Sequence, residues 1–351
     1  MQVAKGLEGV VVAQSSICDV QAEGVLTYRG VPIEELVDKP LLEVAQLVST
    51  GTSNNDWQLW FDEVKHLSEG TAAVLAKLPK GMHPMKMLQT MVPVIAQASD
   101  QTDPLKSGFY IAAQLPETVL SYLLGRRVRL DSAVGDYACQ LTHALGHDPE
   151  NEQFMLLSQA LNTAQILQLE HSLNAGMFAA RVVASTLADV DSAIVAGFGA
   201  LSGELHGGAD QDAIEMADRL KSVQDAKKFV ADMLDANIKV PGMGHREYRV
   251  RDPRAACLDR WAEQLASGDL RDTYGKLQAI EAEFRAVMEK KGKPLYTNVD
   301  FYKGIVYRAL GLPDQAFTSA FAMARVFGYI AHFLENAQDN RIFRPQAQYV
   351  A

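Results

Sequence analysis

The chain has 351 residues, 48% of them hydrophobic and 22% charged, which is enough apolar mass for a large core and, on length alone, about two domains. Its formal charge of −10 excludes general nucleic-acid binding, which needs Lys and Arg to neutralise phosphates; an anionic ligand must find a local basic pocket. Three isolated cysteines, Cys18, Cys139 and Cys257, form no CxxC pattern and argue for a reducing compartment without disulfides or a zinc site.

"MQVAKGLEGV" lacks the apolar core of a signal peptide. The longest apolar segments are interrupted by Arg, Asp or Glu, so a cytoplasmic protein without a membrane span is expected. "GVVVAQSSICDV" and "GVLTYRG" are β-prone runs separated by "QAEG", which predicts a small N-terminal hairpin. From Pro32 onward the periodicity is helical. In "PIEELVDKPLLEVAQLVSTG", Ile33, Leu36, Val37, Leu41, Val44 and Val48 recur on one side and Gly51 stops the run. "NAGMFAARVVASTLADVDSAIVAGFGALSG" is rich in Ala, Val and Gly, which suits a crowded central helix or a subunit interface. "AIEMADRLKSV", "DRWAEQLASG" and "GKLQAIEAEFRAVMEKKGK" are amphipathic, and with no βαβ alternation the fold class is all-α.

Chemistry-bearing residues cluster in a few stretches. "QLEHSLNAG" puts His171 and Asn174 one helical turn apart on one face. "SGELHGGADQD" sets His206 in a glycine turn before a helix, with Asp210 as its natural N-cap and Asp212 at the positive end of the dipole. His206 there either bonds the turn's own backbone or, kept neutral, donates to a carbonyl. "VPGMGHREYRVRDPRA" follows a Pro/Gly turn with His245, Arg246, Arg249, Arg251 and Arg254, read as an anion-holding group or as a solvated basic loop. In "YTNVDFYKGIVYRALG", Asp300 sits among apolar residues as a helix cap, a satisfied contact or a tuned base. His143 and His147 in "HALGHD" have a zinc-compatible spacing but lack the Glu of HExxH and a third ligand. Arg126, Arg127 and Arg129 suit a solvated loop, and Arg341 and Arg344 lie in a tail that either hangs free or reaches a neighbouring subunit.

Taken together and in this order, these stretches, with "HPM" at 83–85 and "ARVFGYIAHFLENAQDNRIFRP", resemble the citrate synthase family nearly end to end. The resemblance implies a two-domain helical fold: a large domain of residues 1–208 and 312–351, and a small one, roughly 209–311, that closes over the substrates. It implies that His206, His245 and Asp300 are catalytic, that His171, Arg254 and Arg325 bind the dicarboxylate, and that Arg344 does so from across a homodimer interface. It further implies that the backbone of Val240, Pro241, Gly242, Met243 and Gly244 holds the adenine of coenzyme A. The expected reaction is acyl transfer from acetyl-CoA to oxaloacetate without a metal or a separate cofactor. Asp300, among apolar neighbours, is then expected to be a stronger base than in bulk water. Gln168, Gly176, Met177, Asp210 and Gln346 depart from the commoner family pattern; Gly176 and Met177 remove a small hydroxyl near the site. The competing readings are a 2-methylcitrate synthase using propionyl-CoA and a catalytically weak helical paralogue, although the three catalytic positions are intact.

Overall fold

A computed structural model describes residues 4–54 and 56–350. The helices of the first half are α1 (Ile33–Leu36), α2 (Leu41–Thr50), α3 (Asp56–Val64), α4 (Glu69–Lys77), α5 (Pro84–Gln97), α6 (Pro104–Leu124), α7 (Tyr137–Ala144) and α8 (Phe154–Ile166). Those of the second half are α9 (Ala175–Ala184), α10 (Val190–Leu201), α11 (Ala209–Asp218), α12 (Ala226–Asp235), α13 (Pro253–Leu265), α14 (Gly268–Lys290), α15 (Asp300–Ala309) and α16 (Phe317–Gln338).

The expected hairpin is a three-stranded antiparallel sheet, β1 (Cys18–Gln21), β2 (Val25–Tyr28) and β3 (Val31–Pro32), in the order β1-β2-β3. The β-prone residues before Cys18 form no strand. Gly24, at φ 90°, makes the first reversal; Arg29 and Gly30, at φ 51° and 82°, make a second that adds β3. The sheet is tied to the site because Tyr28 Oη lies 3.0 Å from the carbonyls of both Ile166 and Glu170.

Two helical runs divide where the backbone demands it. Pro40 caps α2 and separates it from α1, and Gly51 ends it in the left-handed region at φ 80°. The apolar run 174–203, expected as a crowded central helix or a subunit interface, breaks at Leu187 (φ 65°) into two helices, α9 and α10, which pack on each other and on α16. Helix α16 is the centre: α2, α5, α6, α8, α9 and α10 surround it. By length and composition Asp314–Gln338 is apolar enough to cross a membrane, contrary to the expectation that every such run is interrupted, but 94% of its apolar window is buried within the protein. Arg325 lies within this run as a buried charge, and a single arginine leaves its average apolar character intact. Helices α11 to α15 pack mainly on one another, while α15 and α13 also touch α8 and α11 touches α16.

Gly328 lets α16 lie against the chain just before His171. A Cβ there would stand 2.4 Å from Leu169 O, a backbone atom that cannot step aside. Gly328→Ala should destabilise the protein by about 1–3 kcal/mol, lowering the urea midpoint at fixed protein concentration; an unchanged midpoint would contradict this packing.

Candidate active site

His171 and Asn174 were expected on one helix face. Instead α8 ends at Ile166 and both lie in the irregular link to α9, with Ser172 at φ 52°. The reason is the side chain of Asn174, which caps α9: its Oδ1 accepts from the amides of Gly176 (3.0 Å) and Met177 (3.2 Å). The link bends His171 inward. Its ring centroid is 5.0 Å from that of His245, and its Nε2 is 3.1 Å from Tyr248 Oη. Tyr329 Oη, which donates to Gly197 O (3.1 Å), lies 2.6 Å from where a Cβ at 176 would be, so the ring occupies the space a side chain there would need.

His245 is carried by the irregular 240–252 segment, which is stitched to the residues entering α15. Met243 bridges Thr297, Gly244 N donates to Tyr296 O (2.8 Å), and Asn298 N donates to Gly242 O (2.9 Å). Gly242 is required twice over: its φ is 72°, and a Cβ would meet the Phe301 backbone at 2.9 Å. Within the 240–244 loop the amides of Met243 and Gly244 are already engaged, by Val240 O and Tyr296 O. Pro241 has no amide hydrogen, so within this loop Val240 and Gly242 are left with N–H groups that no described residue engages.

Arg254 is oriented by Asp252, at 4% and 0% side-chain exposure. Asp252 Oδ1 accepts from the Arg254 amide (2.9 Å) and Nε (3.0 Å), while Oδ2 accepts from Nη2 (2.8 Å) and from Val299 N (3.2 Å). Arg254 Nη1 has no partner among the described residues. Arg325 is buried in α16, donates through Nε to Gln168 O (2.6 Å) and lies over Phe321, its terminal nitrogens likewise unengaged.

His206 lies in the 202–208 turn, half-buried, with Nε2 3.4 Å from Asn174 Oδ1. The turn is tight: a Cβ at Gly207 would stand 2.0 Å from Leu201 O. Asp210 is not the N-cap of α11, a place held by Gly208; it lies one residue inside the helix, buried, facing Lys303. Asp300 is the first residue of α15, its amide held by Asn298 Oδ1 (3.0 Å) and its own Oδ1 by Lys303 Nζ (2.7 Å). The expectation of a strengthened base fails here. Burial alone would raise the Asp300 pKa, but the Lys303 charge and hydrogen bond reverse this, assisted by Arg254 and His206, so the carboxyl stays below its ordinary value and ionised.

His171, His206, His245, Asp300, Arg254 and Arg325 are thus linked through contacts and fields around one centre. Arg344 is not: it is exposed on the irregular tail after α16. Sequence reasoning missed Asp252, Tyr248, Asn298 and Lys303. The DPR turn that caps α13 was a usable signal for Asp252, and the i,i+3 spacing of Asp300 and Lys303 was one for Lys303; Asn298 and Tyr248 also lie within three residues of Asp300 and His245, but no motif marked them. His147 Nε2 donates to Leu310 O (3.1 Å), and among the described residues no three His, Cys, Asp or Glu side chains cluster to hold a metal.

All three histidines are held neutral. Burial is the main cause in each; Arg254 adds to it at His171 and His245, and Arg325 at His206. His245 Nδ1 accepts from the amides of Glu247 (3.0 Å) and Tyr248 (3.3 Å), and these two contacts outweigh the longer approach of Arg254 Nη2 to Nε2 (3.4 Å), so the proton is assigned to Nε2. Its pKa falls from 6.5 to about 4. That neutral form contributes stability above pH 6.5, which is lost as the pH falls through about 4. A ¹⁵N NMR titration should show His245 as the Nε2–H tautomer with a midpoint near 4; a midpoint near 6.5 would refute this.

The model for the citrate synthase C-terminal domain matches residues 6–346. A citrate synthase of Deinococcus radiodurans is 33% identical, covering 99% of this chain and 95% of that protein. A 2-methylcitrate synthase of Shewanella oneidensis is 31% identical, covering 98% and 94%. The citrate synthase of Thermoplasma acidophilum, solved as a ternary complex with carboxymethyl coenzyme A and oxaloacetate, superposes with a TM-score of 0.91 at 26% identity, covering 100% of this chain and 96% of that one. Sequence, fold and length agree throughout: the chain belongs to the citrate synthase family.

Proposed function

We propose that the protein condenses the methyl carbon of acetyl-CoA with the ketone of oxaloacetate and hydrolyses the citryl thioester to citrate and coenzyme A. The observation that carries this reading is the grouping of neutral His206 and His245, ionised Asp300, and the unengaged guanidinium nitrogens of Arg254 and Arg325.

In this reading Arg325 takes one carboxylate of oxaloacetate through its two free terminal nitrogens, a paired contact that a lysine could not reproduce, and Arg254, gripped by Asp252 at Nε and Nη2, takes the other through Nη1. Arg254 Nη2 lies 3.4 Å from His245 Nε2; once a substrate carboxylate draws that guanidinium away, His245 Nε2–H polarises the ketone. His171, kept neutral and steadied by Tyr248, contributes a further polar contact. Asp300 removes a proton from the acyl α-carbon while neutral His206 donates to the thioester oxygen as charge builds there. Because Asp300 is a weak base, that donation is essential. The enol carbon attacks the polarised ketone, and water then cleaves the thioester.

The segment 209–311 carries His245, Arg254 and Asp300, and the rest of the chain carries His171, His206 and Arg325. Closure of one part on the other would complete the site and exclude water until both substrates are bound. Arg344, exposed on its own tail, would complete the site of a second copy in a homodimer. The free amides of Val240 and Gly242 are the donors offered to the adenine end of coenzyme A.

The likeness to a 2-methylcitrate synthase favours propionyl-CoA as a second reading. One methylene separates the two acyl groups, about 1–3 kcal/mol of discrimination. Free-thiol release with oxaloacetate should give the higher kcat/KM with acetyl-CoA; a preference for propionyl-CoA would select the second reading, and no release from either would refute both. Asp300→Asn should lower kcat by about 10²–10⁴-fold with oxaloacetate affinity near wild type, measured by calorimetry. A variant that kept most of its rate would remove Asp300 from the role of base.

A further inference from the structure

Lys303 is fully buried, one helical turn after Asp300 on α15, and is absent from the reaction described above. An ammonium in such a place needs partners on every side. Its Nζ donates to Asp300 Oδ1 (2.7 Å) and to Gln168 Oε1 (3.2 Å), and lies 3.1 Å from Asp210 Oδ2 at an angle that makes an ion pair without a hydrogen bond. The Phe321 ring, with its centroid 4.5 Å away, closes another side. Gln168 is itself fixed, its Nε2 donating to Ala164 O and Tyr307 Oη, both at 2.7 Å, which turns its Oε1 toward the lysine. The ammonium therefore has a single available position. Asp300 Oδ1 is held by it, and Oδ2 makes no hydrogen bond with a described residue.

We propose that Lys303 is a positioning residue for the base: fixed by Asp210 and Gln168, it pins Asp300 Oδ1 so that Oδ2 alone faces the acyl carbon and receives its proton. This rests on Asp300 being the base. Lys303 gives up no proton in the step; Asp300 Oδ2 gains one and the acyl carbon loses one. Burial works against the charge on Lys303, but Asp210 and Asp300 outweigh it and hold the amine protonated. The ionisable groups acting on Asp300 are Lys303 on its own helix, Asp210 on α11, His206 in the turn before α11 and Arg254 on α13; Arg325 on α16 acts on His206.

Burial raises the Asp210 pKa and Lys303 opposes that rise; with both carboxylates ionised, the cluster of Asp210, Asp300 and Lys303 carries one excess negative charge, and so does a Lys303→Met, Asp210→Asn double variant. A merely structural lysine, present to balance buried charge, would be dispensable there. The test compares Lys303→Met, the double variant and Asp300→Asn, following thiol release across pH and oxaloacetate binding by calorimetry. Lys303→Met and the double variant should each lose about 100-fold in kcat, as expected for a base displaced by about an ångström, with oxaloacetate affinity within about twofold of wild type. The acid limb of kcat/KM should move to higher pH, because a carboxylate without its cation protonates more readily. Wild-type kcat and pH profile in the double variant would overturn the proposal even if Lys303→Met alone failed to fold. Retained rate in Asp300→Asn would instead overturn the reading of the base, so the two failures are distinguishable.

Discussion

The site depends first on the carboxylate of Asp252. With no exposed side-chain surface, it caps α13, grips the guanidinium of Arg254 along one edge and holds the amide of Val299 immediately before Asp300. One group thereby fixes an anion-binding arginine and the entry to the helix that carries the base. An isolated charge at such depth would be costly; pairing with a second charge and two backbone donors makes it tolerable, and loss of one partner from a buried pair typically costs about 3–5 kcal/mol. The bridge from Met243 to Thr297 then brings His245 into the same frame, and Gly242 is the residue that permits that approach.

Around this frame the cleft is locally cationic within an acidic protein. Burial, seconded by two buried arginines, pushes the histidine pKa values down, which keeps each imidazole neutral and able to donate a proton without carrying a charge of its own. The field that would attract a dicarboxylate is the one that sets the protonation of its neighbours. Asp300 is subject to the same field together with Lys303, and is therefore ionised but weakly basic. A weak base can deprotonate a thioester only where the product is stabilised as it forms, so the charge pattern puts the burden of catalysis on the donors around the substrate oxygens.

Much of the fold was legible in the residue pattern, because amphipathic periodicity and stop signals act locally. Gly51 ends α2 as expected, and the helix around "DRWAEQL" forms where its apolar spacing puts it, whereas α11 stops at Asp218, short of the Leu220 and Val223 that continue the spacing of "AIEMADRLKSV". The failures have local causes too. His171 and Asn174 have helical spacing, yet the Asn174 side chain captures two amides and starts a new helix instead. Asp210 looks like a cap, but burial beside Lys303 draws it inside the first turn. Val10–Ala13 has strand propensity and no partner strand, and propensity without pairing makes no sheet.

By itself the sequence determined the fold class, the family and the identity of the histidines, arginines and aspartate that carry its motifs, since each is a matter of residue type at a given spacing. Only the tertiary structure decided how those groups are charged and aimed. Lys303 lies three residues from Asp300, a spacing that a helix turns into a pair, but 93 from Asp210, and no local rule foretells that it also pairs with Asp210. A pKa and a direction are properties of everything packed around a group, and for Asp300 that surrounding is assembled from five separate stretches of the chain.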